Sequence, residues 1–170
     1  MRFEIEQEIA GAPDAVARIY TEPRFYELLG DLPKVGKPEV LDRREDGAVV
    51  HLAVRFRFAG NLSPTVTKVI DPDKLTWVDE SVHDLDGGTV TFRLNPDHYA
   101  DRFRAQGSSR YQPAGSGRTR RSTAGEVAVK VPLLMGGGRV GGAVESAIIS
   151  GLREHFAAEV GVVERLLRDL

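Results

Sequence analysis

The 170-residue chain has no cysteine. A disulfide framework, a thiolate nucleophile and a thiolate metal site are therefore closed to it, and a reducing compartment is the natural setting. Long apolar runs are missing as well: nowhere do eighteen apolar residues stand in a row, as a membrane-spanning helix would need. The first residues, Met1-Arg2-Phe3-Glu4-Ile5-Glu6, alternate charge with apolar side chains and lack the continuous apolar stretch of a signal peptide. The expectation is a soluble cytoplasmic protein.

Catalytic signatures are equally scarce. There is no G-x-S-x-G nucleophile turn and no carboxylate cluster at metal-ligand spacing. The four histidines, His51, His83, His98 and His155, show no i, i+2 or i, i+4 pair that would set two imidazoles on one face. The sequence thus calls for no metal and no cofactor. His51 falls on the outward face of a strand, His98 in a loop and His155 beside the apolar stripe of a helix, where an exposed or hydrogen-bonded imidazole is the plain reading.

The net charge of -2 is unevenly spread. Residues 1–46 carry eleven acidic and seven basic side chains, whereas residues 101–131 carry two acidic and seven basic. A basic patch could meet RNA, an anionic lipid or an acidic ligand. Without an aromatic platform or a nucleic-acid motif it reads as a solvated strand face, and no nucleic-acid partner is expected.

What the chain does contain is a long terminal helix. From Val140 to Leu170 apolar residues recur at Val140, Val144, Ile148, Leu152, Phe156, Val160, Val163, Leu167 and Leu170, with Arg153, Glu154, Glu159, Glu164, Arg165, Arg168 and Asp169 mostly off that stripe. Such a helix is about 45 Å long and needs an apolar surface to match. Upstream segments can supply one. Met1 to Ile9 alternates Phe3, Ile5 and Ile9 against Arg2, Glu4, Glu6 and Glu8, with Gln7 the exception on the dry face. Pro13 opens a short helix carrying Val16, Ile19 and Tyr20; Thr21 as cap and Pro23 open a second, Arg24 to Leu29.

Strands follow, with turn residues between them. They span Pro38 to Arg44, Ala48 to Phe58, Thr65 to Ile70, Leu75 to His83, Thr89 to Leu94, Phe103 to Tyr111 and Thr119 to Val131. Asp46-Gly47, Asp86-Gly87-Gly88 and Gly115-Ser116-Gly117 are the turns. With the first strand this makes eight strands, two short helices and one long helix, and no strand-helix alternation in the middle. A parallel doubly wound sheet is excluded; the class is α+β with an antiparallel sheet, in one domain over residues 1–170. A chain of this size buries about 70% of its unfolded surface, enough for a core without staples.

Met1-Arg2-Phe3-Glu4-Ile5 followed by Ala12-Pro13-Asp14-Ala15-Val16, the stretch Val66-Thr67-Lys68-Val69-Ile70-Asp71-Pro72 leading to Leu75-Thr76-Trp77, and the helix from Val140 carry a resemblance. In this order of elements the chain resembles the helix-grip fold of the START/Bet v 1-like (SRPBCC) superfamily and, over nearly its whole length, the bacterial family of unknown function DUF2505. The departure is one strand more than the usual seven, around Thr89 to Leu94. The resemblance implies a curved antiparallel sheet wrapped on the terminal helix and an apolar ligand held between them. Its relatives include lipid carriers, hormone receptors, polyketide cyclases and plant allergens.

Gly136-Gly137-Gly138-Arg139-Val140-Gly141 spells G-x-G-x-x-G, but a dinucleotide site needs a second parallel strand after the helix, and this helix runs on toward the last residue. The glycines read as a hinge. Just before them Leu133, Leu134 and Met135 form either an apolar gate over a cavity mouth or a patch packed under the helix. On the strand Leu75 to His83, one face carries Trp77, Asp79, Ser81 and His83 and the other Val78 and Val82, so Asp79 and His83 are either a polar cavity end able to act as general base or surface residues. Lys68, between Val66 and Ile70, has the same ambiguity. Phe56, Phe92, Phe103 and Tyr111 stand beside the small Ala105, Gly107 and Ser109, which leaves room unless Leu152 and Phe156 fill it.

The leading expectation is a binding protein for a hydrophobic or amphipathic small molecule. Its cavity wall comprises Phe56, Trp77, Phe92, Phe103, Tyr111, Leu152 and Phe156. One rival is a polyketide cyclase or dehydratase using Asp79 or His83. Another is a membrane- or partner-docking module using Leu133 to Met135 with Arg118, Arg120 and Arg121.

Overall fold

A computed structural model of the chain describes residues 1–30, 36–68 and 70–170, the side chains of Thr65 and Val66 excepted. In β1 (Arg2–Ala10) the alternation of charged and apolar residues becomes a strict alternation of exposed and buried positions. Helices α1 (Pro13–Ile19) and α2 (Pro23–Leu29) each begin at a proline, whose missing N–H would have no partner in a first turn anyway. Thr21 does not cap α2; its Oγ1 donates to the Arg18 carbonyl at 2.8 Å and so closes α1.

The remaining strands are β2 (Glu39–Asp46), β3 (Val49–Arg57), β4 (Thr76–Asp84), β5 (Thr89–Pro96), β6 (Phe103–Gly115) and β7 (Arg118–Val129). They and β1 form one antiparallel sheet of seven strands in the order β1-β7-β6-β5-β4-β3-β2. Seven strands replace the expected eight, and the surplus was not at Thr89 to Leu94, which is paired on both sides as β5. The expected strand Thr65 to Ile70 is the one that fails. Pro64–Thr67 makes a single helical turn, α3, with the Thr67 N–H donating to the Ser63 carbonyl at 3.0 Å. A proline with its φ already helical starts that turn, and it outweighs the β-branched residues behind it. Val69 of the same segment lies outside the described residues.

The long helix α4 spans Gly137–Arg168, close to the expected length. Its buried face differs from the expected stripe. Steps of four residues advance about 40° each around a helix of 3.6 residues per turn, so positions 140 to 160 spiral away from one face. The face that is buried passes through Gly141, Val144, Ile149, Glu159, Val163 and Leu166, while Leu170 is 91% exposed. Gly141 is required where it stands: a Cβ there would come within 2.8 Å of the Val129 carbonyl oxygen, so its absence lets the helix lie close on β7.

The inward face of the sheet and the helices build two hydrophobic clusters. One joins Ile9, Val50, Leu52, Val54, Phe56, Val90 and Tyr111 to α1, α2 and the end of α4, with sixteen buried members among the described residues. The other joins Phe3, Ile5, Ala105, Val127 and Ile149, flanked by Phe92, Leu94, Phe103, Val129, Ile148, Leu152 and Phe156, all only partly buried.

Candidate functional site

Parity along each strand decides what points inward. On β3 the inward set is Val50, Leu52, Val54 and Phe56, and these pair with His83, Ser81, Asp79 and Trp77 of β4. The open question about β4 is thereby answered: Trp77, Asp79, Ser81 and His83 face the interior, while Val82 is 39% exposed on the outside. Parity on β7 likewise places Thr119, Arg121, Thr123 and Val127 inward. Gln7 of β1 pairs with Arg121, which in turn pairs with Tyr111 of β6. Ser109 and Thr123, opposite each other on the next inward row, share a hydroxyl hydrogen bond of 2.8 Å.

Gln7, Ser109, Arg121 and Thr123 belong to neither hydrophobic cluster, and at their centre is a buried ion pair. Arg121 Nη1 donates to Glu159 Oε1 of α4 and to Gln7 Oε1 at 3.1 Å. Gln7 Nε2 donates to the Phe156 carbonyl and, at 3.3 Å, to Glu159, and Tyr20 Oη donates to Glu159 at 3.1 Å. Three rings surround the guanidinium carbon: Tyr20 at 4.2 Å, Phe156 at 4.9 Å and Tyr111 at 5.8 Å from their centroids. Burial works against the charge of Arg121, but Tyr111, Tyr20 and Glu159 outweigh it and hold the guanidinium protonated. Burial, with Glu159 adding to it, pushes the Tyr20 phenol well up and the Tyr111 phenol to about 12, so both are neutral donors.

A chain of rings runs from this centre to the far side of the interior. Tyr111 meets Tyr20 (5.8 Å between centroids), Tyr20 meets Phe25 (4.9 Å), Phe25 meets Tyr26 (5.1 Å) and Tyr26 meets Phe56 (6.4 Å). Phe56 stacks on Trp77 at 5.9 Å and 13°. Beside Trp77 on the same strand face is Asp79, whose carboxyl burial pushes to about 7 against the opposing pull of Arg121. His83 is driven the other way, to about 4, by burial and by Arg121; its Nε2 is 3.0 Å from Ser81 Oγ.

Five buried side-chain atoms among the described residues have no hydrogen-bond partner: Asp79 Oδ1, His83 Nδ1, Tyr111 Oη, Arg121 Nε and His155 Nδ1. Native interiors hold few such atoms, and here all five belong to residues facing or bordering the same interior. His155 is linked to the centre through Glu159, 3.8 Å away. Acceptors and donors both occur in the set, so the site can meet a polar group of either kind.

The expected wall residues divide between the two clusters. Phe56 and Tyr111 are buried in the first, Trp77 packs against it, and Phe92, Phe103, Leu152 and Phe156 flank the second. The small residues of β6 leave less room than expected. A Cβ on Gly107 would fall 2.6 Å from Phe92 Cζ, so the Phe92 ring already lies over it, and the Phe3 ring lies over Gly125 in the same way.

Leu133–Met135 forms one 3₁₀ turn projecting into solvent, with Leu133 91%, Leu134 102% and Met135 49% exposed, so the patch is not packed under α4. Arg118 and Arg120 lie at the opposite end of β7, about 35 Å along the strand, and Arg121 is interior. The loop and those arginines do not make one surface. Lys68 is exposed, as is His98, and His51 is half-buried on the outer face of β3. The G-x-G-x-x-G segment opens α4 beside a wholly antiparallel sheet, and Gly136 at φ 104° makes the left-handed turn into the helix.

Gln7, Tyr20, Arg121 and Glu159 are not among the expected cavity residues; Arg121 is expected only on a docking surface and Glu159 on the solvated side of the helix. A signal was present: Arg121 shares parity with Thr123 and Val127, and Gln7 already stood out on a dry face. Two depressions open to solvent, of about 800 Å³ beside Arg2, Glu4, Gln106, Glu126 and Arg153 and about 450 Å³ beside Asp42, His51, Glu80, Val82 and Arg93, are lined mostly from outward strand positions. They contain none of the unpartnered atoms. No described helix is long and apolar enough to cross a membrane.

Solved structures of similar shape cover the whole architecture. The chain superposes on an aromatase/cyclase from Streptomyces sp. R1128 with a TM-score of 0.70 at 16% identity, covering 98% of this chain and 95% of that one. The protein TTHA0849 from Thermus thermophilus gives 0.67 at 18% identity, covering 96% and 97%. Norcoclaurine synthase from Thalictrum flavum, in complex with dopamine and hydroxybenzaldehyde, gives 0.63 at 17%, covering 99% and 87%. At such identities the likeness shows the fold alone, the helix-grip arrangement of a curved antiparallel sheet and a long terminal helix. No curated protein matches the sequence. The sequence profile of a family described as "Protein of unknown function (DUF2505)" matches residues 4–167.

Proposed function

The chain belongs to the DUF2505 family, and from that premise we propose that it binds an apolar or amphipathic small molecule between the inward face of β5 and β6 and the first two thirds of α4. One observation carries the reading: Phe92, Leu94, Phe103, Ile148, Leu152 and Phe156 point into the concave side of the sheet and yet stay partly open to solvent. The first cluster has sixteen buried members to seven partly buried neighbours, whereas this one has five to seven, a larger open share than a close-packed core leaves. Apolar walls with a few convergent polar groups are the make-up of a small-molecule site. Here the polar groups are the unpartnered atoms of Tyr111, Arg121, Asp79 and His83. Covering the walls contributes about 25 cal/mol per Å² of apolar area, and the polar atoms set orientation.

The aromatase/cyclase and norcoclaurine synthase are enzymes built on this fold, and one feature favours a second reading as an enzyme. A carboxyl titrating at about 7, as Asp79 does, can take up or give up a proton at neutral pH. Native mass spectrometry of the protein purified from its own host tests binding. A retained small-molecule mass supports it, and loss of that mass in Leu152→Trp puts the ligand against α4. The enzyme reading requires in addition that the retained compound be converted by wild type and left unchanged by Asp79→Asn.

A further inference from the structure

Of the interior carboxylates near the site, Glu159 is already engaged, with three hydrogen bonds on its Oε1. It accepts from Arg121, Gln7 and Tyr20, and Arg121 spends Nη1 on Glu159 and Gln7. The central pair is therefore neutral as a unit. Asp79 differs: it forms no ion pair among the described residues, and its Oδ1 is buried without a hydrogen bond. It stands two residues from Trp77 on the same strand face, where the indole stacks on Phe56. A carboxylate beside an aromatic face is the arrangement that holds a positive nitrogen on an apolar body, the carboxylate by charge and the ring by its quadrupole.

Resting on the binding reading above, we infer that the ligand is an amphipathic cation, an apolar body bearing a protonated amine that pairs with Asp79 beside Trp77. The groups facing Asp79 agree with a positive rather than a negative head. Tyr26 of α2 is neutral, its phenol pushed well up by burial and then by Asp79. Glu159 of α4 and Glu80 of β4 both disfavour additional negative charge there, His83 is neutral, and Arg121 of β7 is the only cation among the described residues that acts on Asp79. That cation is already matched by Glu159. An ammonium head supplies the missing counter-charge, whereas a carboxylate head would face the unpaired Asp79. In the empty protein the Asp79 carboxyl is partly protonated near neutral pH, so taking up the amine at pH 6 to 7 releases a proton from it.

Three probes of one shape test the inference: 1-naphthylmethylamine, 1-naphthylmethanol and 1-naphthoate, each displacing the neutral fluorophore N-phenyl-1-naphthylamine at pH 8. The amine should bind at least about tenfold more tightly than the alcohol, and the carboxylate most weakly. In Asp79→Asn the advantage of the amine over the alcohol should vanish while the alcohol binds as before. Lowering the pH from 8 to 5 should weaken the amine alone. Equal displacement by all three, or tightest binding of 1-naphthoate, overturns the inference while leaving the binding site in place; the latter would assign the head group to Arg121 Nε. If the fluorophore itself does not bind, the binding reading fails as well. Should Asp79→Asn fail to fold, Asp79→Ser provides the same comparison.

Discussion

The two halves of the interior are made from the same sheet and the same kinds of residue, and they are finished differently. Beneath α1 and α2 the cluster around Phe25, Leu29, Val50, Val54 and Val163 is dry, each of these at 2% exposure or less. Beneath the first two thirds of α4 the cluster has five buried members, Phe3, Ile5, Ala105, Val127 and Ile149, to seven partly open apolar neighbours, against sixteen to seven in the first. The difference lies in what covers each half. Two short helices and the end of α4 close the first, whereas α4 lies chiefly along β1 and β7, at one edge of the sheet. The lesson is that a long helix can shield one edge of a curved sheet and still leave Phe92, Leu94 and Phe103 of β5 and β6 partly open.

The border between the halves should be the costliest place to disturb. Glu159→Gln leaves the Arg121 guanidinium buried without its counter-ion, and urea unfolding should register a loss of about 3–5 kcal/mol. Replacing both partners, Arg121→Met with Glu159→Met, should recover most of it, because no uncompensated charge remains. A double variant as unstable as the single one would show that the pair holds the halves together by more than mutual neutralisation.

Truncations within each half come next. Leu29→Ala, at a fully buried position, should cost about 2–5 kcal/mol, and Leu152→Ala, on the open side, about 1 kcal/mol, both read from urea midpoints at constant slope. Equal costs would erase the distinction between a packed and an open half.

Two interior groups titrate in opposite senses, which gives a smaller but sharper test. The folded protein raises the Asp79 carboxyl from 3.8 to about 7, so it binds the extra proton, and its contribution to stability falls as pH rises from about 4 to 7. It lowers His83 from 6.5 to about 4, so the unfolded chain binds that proton, and stability from this group is lost as pH falls from 6.5 to 4. Over the shared window the slopes oppose each other. Asp79→Asn should therefore make stability rise with pH between 4 and 6.5, and His83→Gln should make it fall; thermal unfolding across that range reads both. The least effect belongs to Leu134→Ser on the exposed turn, which should stay within about 0.5 kcal/mol of wild type in the same measurement.

How far such features could be read from the sequence depended on how local their cause is. The alternation in β1, the turns at Asp46-Gly47 and Gly115-Ser116-Gly117 and the prolines opening α1 and α2 are decided by neighbouring residues, and each was legible. Pro64–Thr67 was not, because a single proline had to be weighed against a run of strand formers. For the site, the inward aromatics followed from parity, but the facing of β4 needed its pairing with β3. The ion pair Arg121–Glu159 joins residues 38 apart in sequence. On α4, counting in steps of four put Glu159 on the solvent side, whereas the helix period carries it to the centre of the buried face.

The central claim is that the half-open side of the interior receives a ligand. Titration of N-phenyl-1-naphthylamine into wild type and into Leu152→Trp, followed by its fluorescence, tests it most directly. The account predicts saturable binding at one site per chain that Leu152→Trp weakens at least tenfold while its urea midpoint stays near that of wild type. No saturable binding, or binding that the added indole leaves unchanged, would contradict it.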